Sequence, residues 1–265
     1  MKLVQEKQKL INSFNKLANT YDEETNSFSH KIVEYITREN LLKELPLPNK
    51  KLKLLDLGGG TGKNSLHFSK LGYNVTLLDI SSESLKIAES KFKNENLQIE
   101  IINASGEAIP ISNESFDIIV MLGSVISYTP NPKQLLKECN RILKSGGIFY
   151  FDFDNVLRFC HKIKDIELLI NLIEEKENIS QMGPEDYPVR SFRHKYMEEI
   201  LIEEGFKIKT KYGLINATAS LPLDIRYAKN YKDDILERYK KLELDLSRDP
   251  ECYGTSIYCS IVAIK

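Results

Sequence analysis

Apolar positions recur every three to four residues in the first part of the chain, and the spacing changes near residue 50. Between residues 2 and 19, one helical face collects Leu10, Phe14 and Leu17, which predicts a helix. The same spacing predicts a second helix over residues 29–44. We therefore expect residues 1–45 to form a helical segment ahead of the first strand.

From residue 51 onwards, short apolar runs alternate with segments of helical spacing. Five runs are typical of buried strands, namely "KLKLLDL", "YNVTLLDI", "LQIEIINA", "SFDIIVML" and "IFYFDFDN". Helices are predicted at residues 62–71, in "SSESLKIAESKFKNE" and in "NPKQLLKECNRILKSGG", where the glycines are expected to end the helix. The alternation predicts an α/β fold with a parallel sheet covered by helices on both faces.

The pattern after residue 155 is weaker. The spacing of apolar residues over 156–178 predicts a helix. The two prolines of "QMGPEDYPVRSF" predict a loop. "RHKYMEEILIEEGFKIKTKYGLI" predicts a helix, a glycine turn and a strand. A further helix is predicted over residues 231–246, and "TSIYCSIVAIK" predicts a closing strand.

Composition narrows the class of protein. The chain has 265 residues, of which 42% are apolar, so we expect one globular domain with a sizeable core. A formal net charge of −1 argues against a protein that coats nucleic acid or an anionic membrane. "MKLVQEKQKL" is too charged for a secretory signal, and no apolar run approaches the ~20 residues that span a bilayer, so we expect a cytoplasmic protein. The cysteines and histidines are scattered, and no metal site is predicted.

A cluster of glycines follows the first predicted strand in "LKLLDLGGGTGKNSLHF". Glycine lets the backbone turn sharply and approach a ligand closely. A dinucleotide fingerprint would carry its third glycine where Lys63 stands. A phosphate-binding P-loop would need a glycine at Leu57 and a hydroxyl at Asn64. Neither phosphate-binding motif fits.

Two aspartates accompany this loop. Asp79 ends the second predicted strand, where a carboxylate can accept hydrogen bonds from both ribose hydroxyls of a nucleoside. Asp56 stands on the first strand just before the glycines, where we expect it to hold the loop and to reach the ligand's amino group through water. Glycines and an acid at neighbouring strand ends predict a nucleoside site.

Four segments in order resemble the class I S-adenosylmethionine (SAM)-dependent methyltransferases, namely "LLDLGGGTGKNS", "VTLLDIS", "SGEAIPISNESFDIIV" and "LKSGGIFYF". The likeness is greatest to the small-molecule branch that includes the ubiquinone/menaquinone type. It covers about residues 45–155 and returns weakly in "EEILIEEGFKI". The resemblance implies a Rossmann-like doubly wound sheet of strand order 3-2-1-4-5-7-6 with the last strand antiparallel. It further implies a single domain, in which residues 1–45 form a helical lid, 46–155 the SAM-binding core and 156–265 the substrate-side additions.

The resemblance also implies a set of cofactor-binding residues. Gly58, Gly59 and Gly60 would pass under the methionine part of SAM, Asp79 would bind the ribose, Ile80 would lie against the adenine, and the Leu122 carbonyl would meet the ammonium group. Ser105, Gly106 and Glu107 stand where relatives usually have Asp-Ala-Glu, so a hydroxyl replaces the aspartate that meets the adenine amino group. Tyr21 matches a tyrosine that folds over the cofactor in relatives.

The methyl acceptor is expected to be a small molecule or short peptide that is methylated on nitrogen, oxygen or carbon. Candidate catalytic residues are Tyr21, Tyr128 and Asp154. Asp152 and Asp154 alternate along the fifth strand and so share a face, which suits a cationic amine. No nucleic-acid or membrane partner is expected.

Two alternatives remain open from the sequence alone. A SAM-binding regulator without catalysis is one, because the segment after the fourth strand lacks an obvious base. A nicotinamide-dependent oxidoreductase is the other, and Lys63 in place of a third glycine counts against it.

Overall fold

A seven-stranded sheet forms the centre of the protein. The computed structural model describes residues 2–156, 166–167, 170, 174, 177–182, 187–229 and 231–265. The strands of the large sheet are β1 (Lys53–Leu57), β2 (Asn74–Asp79), β3 (Glu100–Asn103), β4 (Phe116–Met121), β5 (Leu143–Asp154), β8 (Lys207–Leu214) and β9 (Tyr258–Ile264). β6 (Glu177–Met182) and β7 (Tyr187–Phe192) form a separate antiparallel pair.

The order of the large sheet is β3-β2-β1-β4-β5-β9-β8. The pairings among β1 to β5 are parallel, whereas β9 is antiparallel to both of its neighbours. Counted within this sheet alone, the order is 3-2-1-4-5-7-6 with the last strand antiparallel, which confirms the predicted fold. The direction of winding reverses between β1 and β4, so their carboxyl ends open a crevice in which ligands bind in sheets of this type.

Helices cover both faces of the sheet. They are α1 (Lys2–Leu17), α2 (Tyr21–Glu24), α3 (Phe28–Glu44), α4 (Lys63–Leu71), α5 (Ser82–Asn94), α6 (Val125–Tyr128), α7 (Pro132–Ile142), α8 (His194–Glu203), α9 (Leu223–Arg226) and α10 (Asp233–Arg248). Adjacent β1 residues point to opposite faces, so Leu54 packs with Phe68 of α4 and Leu55 packs in the core that contains Leu136 of α7. Within the described part of the chain, no helix has both the length and the apolar character needed to cross a membrane.

The junction between α7 and β5 differs from the prediction. The glycines of "KSGG" were expected to end the helix, but α7 ends at Ile142 and β5 begins at Leu143. Leu143 pairs with Phe116 of β4, and the pairing then shifts, so that residues 144–147 bulge out of the ladder. The Gly146 N–H donates to the Lys265 carbonyl at 2.9 Å. The prediction of the helix end was wrong because pairing with a distant strand outweighs the local glycine signal.

The β6–β7 pair corrects a second prediction. "QMGPEDYPVRSF" was expected to be a loop, but its first two residues end β6 and its last six form β7; residues 183–186 lie outside the described part. Tyr187 and Val189 of β7 are buried in a cluster with Leu10 of α1. Pairing and burial therefore override the proline signal. The helix predicted over residues 156–178 falls mostly outside the described residues, and its last two positions belong to β6.

The terminal additions pack on each other over one end of the sheet. Asn40 of α3 donates from its amide to the Ser247 hydroxyl of α10 at 3.2 Å and accepts from Arg248 Nε at 3.0 Å. The Phe28 N–H at the start of α3 donates to the Ala228 carbonyl at 2.8 Å, which fixes the segment that contains α9. Helices α3 and α10 therefore pack together, and both contact β8 at the edge of the sheet.

Candidate active site

The glycine loop after β1 forms the floor of a cavity of about 290 Å³. Gly60 has a left-handed backbone, with φ of +53°, and a Cβ added there would meet only Asp79 Oδ2, at 4.0 Å. A side chain at Gly60 would therefore project into the cavity. At Gly59 an added Cβ would collide with Leu77 and Asp56, so the loop lies tightly on β1 and β2. Because these glycines have no side chains, the cavity stays open at Gly60, and at Gly59 the loop packs closely on β1 and β2.

The structure gathers most of the predicted cofactor residues around this cavity. Tyr21, Gly58, Gly60, Asp79, Ile80, Ser105, Gly106, Glu107 and Leu122 all line it. They come from the ends of four parallel strands and from α2. Gly59 lines an adjoining cavity instead, and Asp56 lines neither.

Asp79 connects β2 to the glycine loop. Its Oδ2 accepts the Gly60 N–H at 2.8 Å, and its Oδ1 accepts the Ser81 N–H at 2.8 Å. Burial raises the pKa of this carboxyl above its usual range, although both backbone hydrogen bonds favour the ionised form. The carboxylate both fixes the shape of the loop and faces the cavity.

Asp56 lies beneath the loop rather than beside the cavity. Its Oδ2 accepts the Ser65 hydroxyl at 2.7 Å, and its Oδ1 is buried with no hydrogen-bond partner among the described residues. Burial raises the pKa of Asp56 to about 6. Asp56 is therefore placed to support the glycine loop from the side that faces away from the cavity.

The turn after β3 closes another side of the cavity. Ser105 Oγ accepts the Glu107 N–H at 3.3 Å, so this hydroxyl helps to shape its own turn. Glu107 Oε1 accepts the Asn131 N–H at 2.6 Å, and Glu107 Oε2 lies 3.8 Å from Lys7 Nζ of α1. An added Cβ on Gly106 would collide with Leu135. The turn is thus held by α1 and α7 together.

Tyr21 lies where the cofactor cavity meets its neighbour, and it lines both. Burial, with help from Asp79 and Asp152, raises the pKa of Tyr21 to about 12, so its hydroxyl is neutral near pH 7. The next residue, Asp22, accepts the Thr61 hydroxyl at 2.6 Å and pairs with Lys91. Sequence reasoning singled out Tyr21 but missed this link between α2 and the glycine loop, for which "TYDEE" was the only signal.

The second cavity, of about 400 Å³, adjoins the first and shares Tyr21, Leu122 and Tyr128 with it. Asp152 and Asp154 line this second cavity, and they are only 4% and 1% exposed, respectively. Asp152 accepts the Gly123 N–H at 3.2 Å and also the Ser124 N–H. Burial, and then the nearby charge of Asp154, raises the pKa of Asp152 to about 7. Two buried acids therefore face a cavity beside the cofactor cavity.

An aromatic cluster roofs the boundary between the cavities. Tyr128 stacks on Tyr187 of β7, with ring centroids 6.0 Å apart and an interplanar angle of 22°. Phe14 of α1 meets Tyr128 edge-on at 5.4 Å. Sequence reasoning missed Phe14 as a lining residue, because it was predicted only as part of the apolar face of a helix.

Comparison with known proteins identifies the family. The family model for a methyltransferase domain matches residues 55–151, which include the glycine loop and Asp79 and end just before Asp152. The chain belongs to the SAM-dependent methyltransferases. This methyltransferase is 30% identical over 206 residues to the uncharacterised protein MJ1252 of Methanocaldococcus jannaschii, covering 74% of this chain and 76% of that protein.

Other relatives align over a shorter part. The methyltransferase is 38% identical over 114 residues to the rice 2-methyl-6-phytyl-1,4-hydroquinone methyltransferase 2, covering 42% of this chain and 32% of the rice enzyme. Among solved structures, a SAM-dependent methyltransferase from Thermotoga maritima superposes with a TM-score of 0.63 at 17% identity, covering 97% and 99% of the two chains. One from Listeria monocytogenes gives 0.61 at 19% identity, covering 88% and 97%. These structures show that the fold is shared.

SAM is the cofactor of this methyltransferase, and the residues present fit it. Gly60 leaves open space where a side chain would stand, and Asp79 is a buried carboxylate at the tip of β2. Ile80 offers an apolar surface beside it. Because the chain belongs to the SAM-dependent methyltransferases, the alternative of a nicotinamide-dependent oxidoreductase loses its support.

Proposed function

We propose that this methyltransferase moves the methyl group of SAM to a nitrogen of a small-molecule amine bound in the second cavity. The observation that carries the proposal is the pair of buried acids, Asp152 and Asp154, in a cavity that shares Tyr21 and Leu122 with the cofactor cavity. A buried carboxylate favours a cationic ligand, since an opposite charge offsets the cost of its burial. A shared boundary is where a methyl group can pass between two ligands.

The proposal assigns roles to the chain's own residues. The glycine loop, Asp79, Ile80 and the Leu122 carbonyl would hold SAM, which supplies an electrophilic methyl carbon that an acceptor lone pair displaces from sulfur. Asp154 and Asp152 would attract the ammonium form of the acceptor and take up the proton that frees its lone pair. Tyr21, which stays neutral, would help to exclude water and to orient the amine at the boundary.

The proposal also covers the organisation of the chain. We treat it as one domain in which residues 46–155 bind the cofactor, while the described parts of residues 1–45 and 156–265 shape the acceptor cavity. Support comes from the residues that line this cavity, which include Glu34 of α3 and Tyr258 of β9 besides Asp152. Additions of this kind commonly choose the substrate on a shared fold.

A hydroxyl on an aromatic ring is the second candidate acceptor. The rice relative is named for a hydroquinone, and a Cereibacter sphaeroides relative, 29% identical over 121 residues, is named a ubiquinone biosynthesis O-methyltransferase. Those alignments cover 42% and 44% of this chain. We prefer the amine because a hydroquinone offers no positive charge to the two buried acids.

The test is transfer of labelled methyl from SAM to matched amines and phenols. We expect label in N-methyl products from a panel of primary amines and little in phenols or hydroquinones. Label only in phenols would replace the amine by the hydroxyl acceptor. Tight binding of S-adenosylhomocysteine with no transfer to any compound of either class would favour the SAM-binding regulator without catalysis.

The acid pair makes the reaction dependent on pH. Asp152 has a pKa of about 7 and acts as a base only when ionised, so we expect kcat/KM for an amine to rise as pH increases through about 7. Asp154→Asn removes the negative charge that helps to raise this pKa. The rise in activity should therefore move to lower pH, and kcat/KM should fall, because one acid is lost.

The matched control is Asp117→Asn, because Asp117 is a carboxylate at the opposite end of the sheet that accepts the Lys53 N–H at 2.9 Å. It should leave the midpoint of the pH profile in place. A pH profile that Asp154→Asn leaves unmoved would contradict a role for this acid pair in proton transfer.

A further inference from the structure

Arg226 is a buried cation that faces the second cavity. It is the last residue of α9, it is 7% exposed, and it lines the same cavity as Asp152 and Asp154. Its Nε is buried with no hydrogen-bond partner, and among the described residues its guanidinium has no ion-pair partner either. The Cζ atom of this guanidinium lies 5.9 Å from the centroid of the Tyr227 ring, within the range of a cation–π contact. The second cavity thus contains a guanidinium group that donates no hydrogen bond to an acceptor in the described part of the protein.

Comparison with another buried arginine, Arg190, shows that the missing ion pair of Arg226 is unusual. Arg190 is equally buried, at 6% exposed, but its Nη2 lies 3.2 Å from Glu6 Oε2. Burial of a charge without such a partner opposes folding, and buried charges in proteins are usually paired. The missing counter-charge at Arg226 is therefore expected from a ligand.

The position of Arg226 is fixed by the surrounding chain. The segment after α9 is held to the N-terminal helices by the Phe28 N–H, which donates to the Ala228 carbonyl at 2.8 Å. Lys229 extends this contact by pairing with Glu23 of α2 at 2.7 Å. These contacts hold the backbone beside Arg226, so the loop has less freedom to lose when a ligand binds. Tyr227 and Tyr258 line the cavity beside it and offer flat apolar surface.

We infer that Arg226 binds an anionic oxygen group, a carboxylate or a phosphate, on the methyl acceptor. Guanidinium donors match such groups in a bidentate geometry. With the two acids in the same cavity, the acceptor carries both charges, an amine towards Asp152 and Asp154 and an anion towards Arg226. An amino-acid-like zwitterion has this arrangement. The inference rests on the proposed function only in taking the bound molecule to be the methyl acceptor.

The test uses pairs of compounds that differ only in an α-carboxylate, namely phenylalanine and phenylethylamine, tyrosine and tyramine, and histidine and histamine. Binding to the full chain is measured by calorimetry with S-adenosylhomocysteine present, and methyl transfer is measured separately. We expect a carboxylated member to bind about ten-fold or more tightly than its partner. Arg226→Gln should remove that preference without changing affinity for S-adenosylhomocysteine, and Arg226→Lys should keep part of it. Competition by acetate or by inorganic phosphate distinguishes the two kinds of anion.

The control variant is Arg238→Gln, an exposed arginine of α10, which should behave as the wild type. A second measurement separates binding from structure. Because Arg226 lacks a partner, Arg226→Met should leave the unfolding temperature of the ligand-free protein unchanged or raise it.

Three outcomes would overturn the inference. They are equal binding of both members in every pair, equal weakening of both by Arg226→Gln, and a clear fall in unfolding temperature for Arg226→Met. Preferential, Arg226-dependent binding of carboxylated compounds without methyl transfer would leave the anion site standing and would remove the proposed function instead.

Discussion

Gly60→Val is expected to abolish binding of S-adenosylhomocysteine while the protein remains folded. The valine side chain would enter the cofactor cavity, because an added Cβ meets only Asp79 Oδ2, at 4.0 Å, and the branched carbons lie beyond it. The left-handed φ of +53° adds backbone strain of ~1–3 kcal/mol, which lowers stability but does not by itself exclude a ligand. Calorimetric titration of the variant, with thermal unfolding in parallel, measures the two effects separately.

Gly146→Val is the matched control. Gly146 also has a left-handed backbone, with φ of +73°, and an added Cβ there meets nothing within 4 Å. It lies in the bulge of β5, outside both cavities. We expect a similar loss of stability and unchanged affinity. A folded Gly60→Val protein that binds S-adenosylhomocysteine as the wild type does would contradict the placement of the cofactor over this loop.

Asp79→Ala is expected to weaken binding of S-adenosylhomocysteine by about ten-fold or more. A hydrogen bond to a charged group contributes ~1.5–3 kcal/mol, and 1.4 kcal/mol corresponds to ten-fold in affinity. The alanine variant also leaves the N–H groups of Gly60 and Ser81 without their acceptor, so the glycine loop loses its fixed shape. Asp79→Asn keeps one acceptor oxygen and should fall between the wild type and the alanine variant.

Asp117→Ala controls for the loss of a structural carboxylate. Asp117 accepts the Lys53 N–H at 2.9 Å and the Lys144 ammonium at 2.7 Å, at the end of the sheet opposite the cavities. The variant should lose stability and keep its affinity for S-adenosylhomocysteine. If Asp79→Ala and Asp117→Ala changed stability alike and neither changed affinity, Asp79 would be a structural residue only.

The two cavities differ in which parts of the chain line them. Most residues that line the first cavity lie within one run of strand–helix units, from β1 to α7. Residues that line the second cavity come, among other elements, from α2, from β5 and from α9, which are far apart in sequence. Relatives that match over less than half of this chain can therefore share its cofactor and differ in acceptor.

Much of the fold was readable from the sequence because its signals are local. The period of apolar residues identified α1, α3 and the strands of the large sheet, and the resemblance supplied their order. Predictions failed where a distant partner decided the outcome, as at Leu143, which pairs with β4, and in β7, whose Tyr187 is buried by α1. Local propensity is a weak prior that tertiary packing overrides.

For the site, the sequence by itself determined the bare glycine loop, Asp79 at the next strand's tip and the acids of β5, since backbone geometry places such residues at the carboxyl edge of a parallel sheet. Only the tertiary structure decided that Asp56 lies under the loop and that Asp22 ties α2 to Thr61. It also decided that Arg226 lines the second cavity with no ion-pair partner among the described residues. The physical reason is that a residue's partners depend on packing between segments far apart in the chain, and no short-range pattern records that packing.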